Sequence, residues 1–142
     1  SSDESVNERL NFYKIAIEDI KNNPILGVGI GNWKLTSIQP ANKFLNGYRI
    51  PYRVHNDFLE VMAEIGIIGG LCFIYFICYP FWFSFKKAFY AKKFDLYCLI
   101  CLVVGVYLVD SMLNFPMHRP IIICYLFFIF AVFNNLKTNQ SQ

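Results

Sequence analysis

The sequence predicts an all-α membrane protein in which an amphipathic helix and a loop precede about three transmembrane helices. Of its 142 residues, 56% are hydrophobic and only 16% are charged, against about 45–50% apolar and about 25% charged in soluble domains. Residues 65–85 contain no charge, and about 20 apolar residues carry an α-helix across a bilayer core. Most of the charged side chains lie in residues 1–57, which we treat as a separate polar segment. This distribution disfavours an ordinary soluble domain.

The polar segment begins with a predicted amphipathic helix. Ser5 and Glu8 have the spacing of a capping box, which predicts that the helix starts there. Pro24 predicts its end, because the residue before a proline avoids helical backbone. Apolar residues recur at the helical period and predict a stripe that packs on other protein or lies at the membrane surface: Val6, Leu10, Tyr13, Ile17 and Ile20.

A glycine-rich segment follows at residues 27–33. Its G-x-G-x-G spacing differs from the G-x-G-x-x-G of dinucleotide sites, so a tight loop with positive φ is favoured over a phosphate cradle. Residues 36–54 are predicted to form an irregular loop of interleaved aromatic and basic side chains. Such a mixture suits a sugar or phosphate surface, and it equally suits an interfacial belt beside a membrane helix. The basic excess is too small to indicate nucleic-acid binding.

Three predicted transmembrane helices occupy residues 58–85, 95–115 and 119–136, and residues 137–142 form a polar tail. The third is marginal, because its apolar run, 120–133, is shorter than a full span. Four lysines between the first two helices, at positions 86, 87, 92 and 93, favour a cytoplasmic connection. Two intervening spans place residues 1–57 and the loop around 110–120 on the same face of the membrane. Gly66 and Gly70 have the small-xxx-small spacing of close helix packing.

His55 is the residue whose surroundings point most directly to chemistry. It precedes Asn56, a natural N-cap, so it stands at the entrance to the first membrane helix. A neutral imidazole there can accept a proton near physiological pH, although a histidine at a helix flank often has no such role. Asp57, Glu60 and Glu64 share one helical face. Salt bridges to the preceding basic loop are favoured over a metal site, and no metal ion is predicted.

Three motifs resemble those of the O-antigen ligase and O-antigen polymerase superfamily of bacterial inner-membrane glycosyltransferases. His55-Asn56, nine residues, Gly66, two residues and Gly69 resemble its H-[N/S/Q]-x9-G-x-x-[G/T/Y] motif. Residues 23–33 resemble its P-x-x-G-x-G-x-G-x-F/W segment. Arg9 and Tyr13 resemble its R-x3-W segment, with Tyr in place of the usual Trp. The resemblance covers residues 9 to about 85. The chain starts with Ser and lacks a signal peptide pattern, so we expect a fragment. The family has more spans than the three predicted here, so the resemblance implies a C-terminal fragment of a larger transferase.

The resemblance implies transfer of a glycan from undecaprenyl diphosphate to an acceptor hydroxyl, with inversion at the anomeric carbon and without a cofactor. His55 would be the general base or would orient the acceptor, and Arg9 would bind the diphosphate. The chemistry of a charged leaving group adds Arg49 and Arg53 as neutralising cations. The predicted substrate-binding set is completed by Asn56, His118 and Arg119, of which the last two either join the site or anchor their loop.

The resemblance also implies the setting of the reaction. The protein would be a multi-pass protein of the bacterial inner membrane, with membrane lipid around it and its site on the periplasmic side, where residues 1–57 form the periplasmic helix and loop. Its partners would be a lipid-linked oligosaccharide or polysaccharide donor and an acceptor that is a glycan, the lipid A core of lipopolysaccharide or a protein. Nucleic acid is not expected among them.

Two alternatives stay open at this point. A polymerase of glycan repeat units uses the same donor chemistry, so the motifs do not separate it from a ligase. A non-enzymatic transporter or assembly subunit would carry functional ionisable residues at mid-membrane depth. The candidate for such a residue is Asp110, which lies near one end of its predicted span.

Overall fold

The computed structural model describes residues 2–38, 52–90 and 95–139, and within them the chain is helical with no β-strand. The helices are α1 (Ser2–Asn22), the short α2 (Trp33–Thr36), α3 (Asp57–Tyr90), α4 (Leu96–Leu113) and α5 (Pro120–Asn139), with a 3-10 turn at Pro116–His118 between the last two. The prediction of an all-α protein is therefore confirmed. Helices α3, α4 and α5 are each long and apolar enough to cross a membrane.

Helix α1 starts earlier than predicted. It begins at Ser2, so Ser5 lies inside the helix and the predicted capping box is wrong. The end at Asn22 agrees with the prediction from Pro24. Ile15 and Ala16 are buried against the start of α3, where small Ala16 permits close approach. Of the predicted apolar stripe, Tyr13 and Ile20 pack against this face, whereas Val6, Leu10 and Ile17 are exposed.

The three long helices bury a second, separate core. It consists of apolar side chains from all three: Ile77, Tyr97, Ile100, Val104, Tyr107, Leu126, Phe130 and Phe133. Helix α5 extends to Asn139, past the predicted limit at 136, so part of the predicted polar tail is helical. Lys137 accounts for this extension, because its Nζ donates to the Tyr79 hydroxyl at 2.7 Å and lies over the Tyr79 and Phe83 rings.

Helix α3 is broken at Gly66, which has φ 78° and ψ 175°. A side chain at this position would collide with the Ile25 carbonyl. The predicted role of Gly66 in helix–helix packing is therefore wrong, because its close neighbour is a loop. Gly70 likewise faces Met62 of its own helix. Close approach between membrane helices occurs instead at Gly105 of α4, where an added Cβ would lie 3.1 Å from the Phe81 ring.

The glycine-rich loop replaces the helical hydrogen bonds that are lost at this break. The carbonyls of Ala63 and Glu64 accept from the N–H groups of Val28 and Gly29, at 2.8 and 2.9 Å. The Ile67 N–H donates to the Pro24 carbonyl at 2.8 Å. Such replacement matters in a membrane helix, where an unpaired backbone group costs several kcal/mol (about 2–7). Two loop N–H groups are thereby engaged, which favours the tight-loop interpretation over a phosphate cradle.

Positive φ angles make this loop possible. Gly27, Gly29 and Gly31 have φ of 66°, 97° and 74°, as the glycine-rich sequence predicts. Gly27 also touches the backbone of α3, since a Cβ there would collide with Ala63 and Glu64. The loop thus fixes the first two turns of α3, and with them the residues that lie just before the helix.

Candidate functional site

His55 occupies the turn immediately before α3 and has a backbone conformation unusual for histidine. Its φ is 61°, and it has the one positive φ among the non-glycine residues that the structure describes. Non-glycine residues in this region are uncommon and concentrate at functional sites. The Tyr13 hydroxyl of α1 donates to the His55 carbonyl at 3.2 Å. Helix α1 therefore helps to hold the turn that presents the imidazole.

The His55 imidazole packs edge-on against the Phe115 ring, with 5.1 Å between ring centroids and 72° between planes. Its Nδ1 is buried and has no hydrogen-bond partner among the described residues. Burial lowers the pKa of His55 below its ordinary 6.5, and the positive charge of Arg9 lowers it further, against an opposing effect of Glu60. The imidazole is consequently neutral at physiological pH, the form in which it can take up a proton.

Arg9 is half-buried on α1 and close enough to His55 to act on its charge. These two residues are 46 positions apart in the sequence, and the packing of α1 on α3 brings them together. A cation near a neutral base is suited to an anionic ligand, because the cation attracts the anion while keeping the base unprotonated.

Glu60, one turn into α3, joins three parts of the chain. Its Oε1 accepts from Arg53 Nη1 at 3.0 Å and contacts His118 Nε2 at 2.8 Å. Its Oε2 accepts from the Val54 N–H at 2.9 Å. Arg53 Nη1 and His118 Nε2 lie 3.0 Å apart and contact the same carboxylate oxygen. We therefore assign the Nε2 proton of His118 to the contact with Glu60. Only 3% of the Glu60 side chain is exposed, so these donors are what makes its burial as an anion tolerable.

Asn56 caps α3 as predicted, with its Oδ1 accepting from the Leu59 N–H at 3.1 Å. Its Nδ2 donates to the Met112 carbonyl at 3.3 Å, near the end of α4. Both ends of the amide thus contact backbone, and the structure gives Asn56 a role in joining two helices. Whether it also contacts a substrate stays a prediction.

The segment 114–119 lies over the start of α3 and completes the site. The Met117 N–H donates to Asp57 Oδ2 at 2.9 Å. The guanidinium of Arg119 lies 5.5 Å from the centre of the Phe115 ring, on which His55 also packs. Arg119 itself is exposed. The loop therefore contributes an aromatic wall to the imidazole and an exposed cation beside it.

Among the residues that the structure describes, the salt-bridge prediction for the carboxylates of α3 is confirmed for Glu60, which pairs with Arg53. Asp57 accepts from the Met117 N–H, and Glu64 accepts from the Trp33 N–H at 3.4 Å. The three residues share one side of the helix, yet three different segments pack on that side at successive turns. Asp110, the candidate for a mid-membrane functional residue, instead accepts from Asn114 Nδ2 at 2.6 Å at the end of α4.

Most of the predicted site residues are brought together at one end of the helical bundle. This group contains His55, Arg53, Asn56, His118 and Arg119, with Arg9 beside it. Arg49 lies outside the described residues. Glu60 and Phe115 also belong to the site, although the sequence did not predict either as a site residue. The position of Glu60 in the first turn of the helix that follows His55 could have indicated that it belongs to the site, whereas nothing in the sequence indicated Phe115.

Fold and site together define a helical protein with three helices able to span a membrane and a histidine- and arginine-containing site at one end of them. A family model described as O-Antigen ligase matches residues 1–74, which is more than half of the chain. The chain therefore belongs to the O-antigen ligase family. The matched residues include Arg9, Arg53, His55 and Glu60 and end before the segment 114–119. No curated protein and no solved structure matches the chain.

Proposed function

We propose that the protein transfers a glycan from a lipid-diphosphate donor to an acceptor hydroxyl, with His55 as the general base. The observation that carries this proposal is the state of His55: a backbone held at positive φ, an imidazole packed on Phe115 and a pKa lowered by burial and by Arg9. A base that is neutral at the working pH and enclosed on one side fits removal of a proton from a bound hydroxyl.

In the proposed reaction, His55 takes the proton of the acceptor hydroxyl while the hydroxyl oxygen attacks the anomeric carbon. The bond between that carbon and the diphosphate oxygen breaks, and the lipid diphosphate leaves with the electron pair. Attack opposite the leaving group inverts the anomeric configuration. No covalent sugar–enzyme intermediate is needed, so one base is sufficient.

The leaving diphosphate gains negative charge and requires cations that are in place beforehand. Arg9 lies beside His55, and Arg119 is exposed next to Phe115. Arg53 is partly exposed, although one of its nitrogens is engaged by Glu60. A guanidinium matches the oxygens of a diphosphate through paired hydrogen bonds. We therefore assign Arg9 and Arg119 as the first candidates for diphosphate contact, with Arg53 behind them. Arg49 remains a proposed ligand on chemical grounds.

We place this reaction at the periplasmic face of the inner membrane, with an undecaprenyl-diphosphate-linked oligosaccharide or polysaccharide as donor. The acceptor would be a glycan, the lipid A core or a protein. Family membership supports lipid-linked glycans as the general class of partner. The lysines at the far end of α3, Lys86 and Lys87, support a cytoplasmic position for that end.

The experiment is the glycan profile of cells in which the intact protein carries His55→Asn. Asparagine tolerates positive φ, so the turn is kept while the base is removed. We expect loss of transfer with normal abundance in the membrane, and Lys14→Gln, an exposed change on α1, as the matched control with a normal profile.

The profile also separates the two chemistries. Loss of all attached glycan identifies a ligase, and a single attached repeat without long chains identifies a polymerase. A normal profile with His55→Asn would contradict the assigned role of His55.

A further inference from the structure

Glu60 is a buried charged side chain, 3% exposed, that contacts the site. Each of its polar partners among the described residues belongs to a segment that also carries a candidate site residue. The Val54 N–H precedes His55, Arg53 precedes Val54, and His118 lies between Phe115 and Arg119 in the chain segment that packs on the imidazole. One carboxylate thus joins the segment before α3 to the segment after α4.

We propose that Glu60 is a positioning residue for the transfer reaction, holding the His55 turn and the 114–119 segment in the arrangement that forms the site. This inference rests on the proposed function and extends it to a residue that does not itself touch the reacting atoms. Glu60 acts through His55, whose backbone it anchors at Val54, and through the Phe115 wall, which it anchors at His118.

The turn at His55 explains why such an anchor is needed. A histidine at φ 61° is in a backbone region that non-glycine residues keep only when the surrounding structure holds them there. The surrounding structure must therefore hold it there. The Tyr13 hydroxyl donates to the His55 carbonyl, and Glu60 accepts from the N–H of Val54, the residue before His55. Loss of the Glu60 contact frees one side of the turn.

The segment 114–119 has two anchors on α3. One is the Met117 N–H on Asp57, and the other is His118 on Glu60. Because the Phe115 ring packs on His55, a displacement of this segment opens the enclosure around the imidazole. Glu60 therefore controls both the position of the base and the wall that shields it.

The test is Glu60→Gln in the intact protein, compared with Glu64→Gln one turn further along α3. Glutamine has the same shape, but its amide nitrogen must face a donor from Arg53, His118 or Val54, so at least one contact is lost. We expect transfer to fall about 10- to 100-fold, the range typical when a distant change misplaces a catalytic group. Glu64→Gln can keep its bond from the Trp33 N–H and should leave the rate unchanged.

The pH profile distinguishes positioning at the site from a general structural role. Among the described residues, the charges that act on His55 are Arg9 from α1, which lowers its pKa, and Glu60 from α3, which raises it, while Tyr13 contacts the His55 carbonyl. Removal of the Glu60 charge lowers the pKa of His55 further. The acid limb of kcat/KM should therefore shift to lower pH in Glu60→Gln, a shift that simple loss of stability would not produce.

A double variant tests the link through the loop. If Glu60 acts partly by holding His118, the losses from Glu60→Gln and His118→Gln should not add, because both break the same contact. Fully additive losses, a wild-type rate or an unshifted acid limb in Glu60→Gln would each overturn the inference.

His55→Asn in the same assay keeps this inference distinct from the proposed function. Transfer by His55→Asn at the wild-type rate would refute the proposed function. An inactive His55→Asn together with a normal Glu60→Gln would refute the role of Glu60 alone.

Discussion

At the scale of single residues, the charge on the imidazole of His55 is set by its neighbours. Burial and the cation of Arg9 favour the neutral form, and the anion of Glu60 favours the protonated form. The net result is a pKa below 6.5. Transfer should therefore stay active down to a more acidic pH than an ordinary histidine would allow, since the base is lost only as pH falls through its lowered pKa.

Arg9→Gln tests this balance. Removing the cation should raise the pKa of His55, so the acid limb of kcat/KM should move to higher pH. If Arg9 also binds the diphosphate, the KM for the lipid-linked donor should rise in the same variant. The measurement is kcat/KM against pH, with Lys14→Gln as the control on the same helix. An acid limb that does not move would show that Arg9 does not act on the base.

Sequence patterns found His55 and Arg9 because both lie in motifs with defined spacing. The salt bridge of Glu60 to the preceding basic loop was predicted, but its contact with His118 was not, because His118 is 58 residues away in the chain. Phe115 packs on His55 from a segment that no local pattern connects to it. Contacts of this kind depend on how helices pack, which residue type and spacing do not reveal.

At the scale of secondary-structure elements, the break in α3 and the glycine-rich loop form one unit. The loop supplies backbone donors to Ala63 and Glu64, and the break at Gly66 makes room for the Ile25 carbonyl. Gly66 and Gly31 offer a matched comparison. Both have positive φ, near 78° and 74°, but an added Cβ at Gly31 meets nothing within 4 Å.

Gly66→Ala should therefore destabilise the protein more than Gly31→Ala. Both changes incur the cost of an L-residue at positive φ, about 1–2 kcal/mol. Gly66→Ala adds a collision with backbone atoms, for which overpacking costs of about 1–3 kcal/mol are typical. The measurement is the thermal unfolding midpoint of the two variants in detergent. Equal midpoints would contradict the close packing of the loop on α3.

Element ends were predicted well where a local signal dominates. Pro24 marks the end of α1 and Asn56 marks the start of α3. The start of α1 was missed because a Ser-x-x-Glu pattern does not prevent helix on its N-terminal side. The length of α5 was underestimated, since the contact of Lys137 with Tyr79 is not visible in the sequence. The break at Gly66 was read as a packing site, because a glycine signals close approach without identifying the neighbour.

At the scale of the whole molecule, the fold separates two tasks. The core shared by α3, α4 and α5 forms the helical bundle, and the packing of α1 on the start of α3 places Arg9 beside His55. Composition and hydropathy were sufficient to predict three helices and to place residues 1–57 and the 110–120 loop on one face. Their actual meeting, through Glu60 and Asp57, required the structure.

The most direct test of the central claim is glycan transfer by the intact protein in proteoliposomes. A lipid-diphosphate-linked glycan and an acceptor are supplied, and the glycosylated product and the released lipid diphosphate are both measured. We expect the wild type to form the two products in equal amounts and His55→Asn to be slower by about 10²- to 10⁴-fold, the usual contribution of a general base. Transfer by His55→Asn at the wild-type rate, or no transfer by the wild type, would contradict the account.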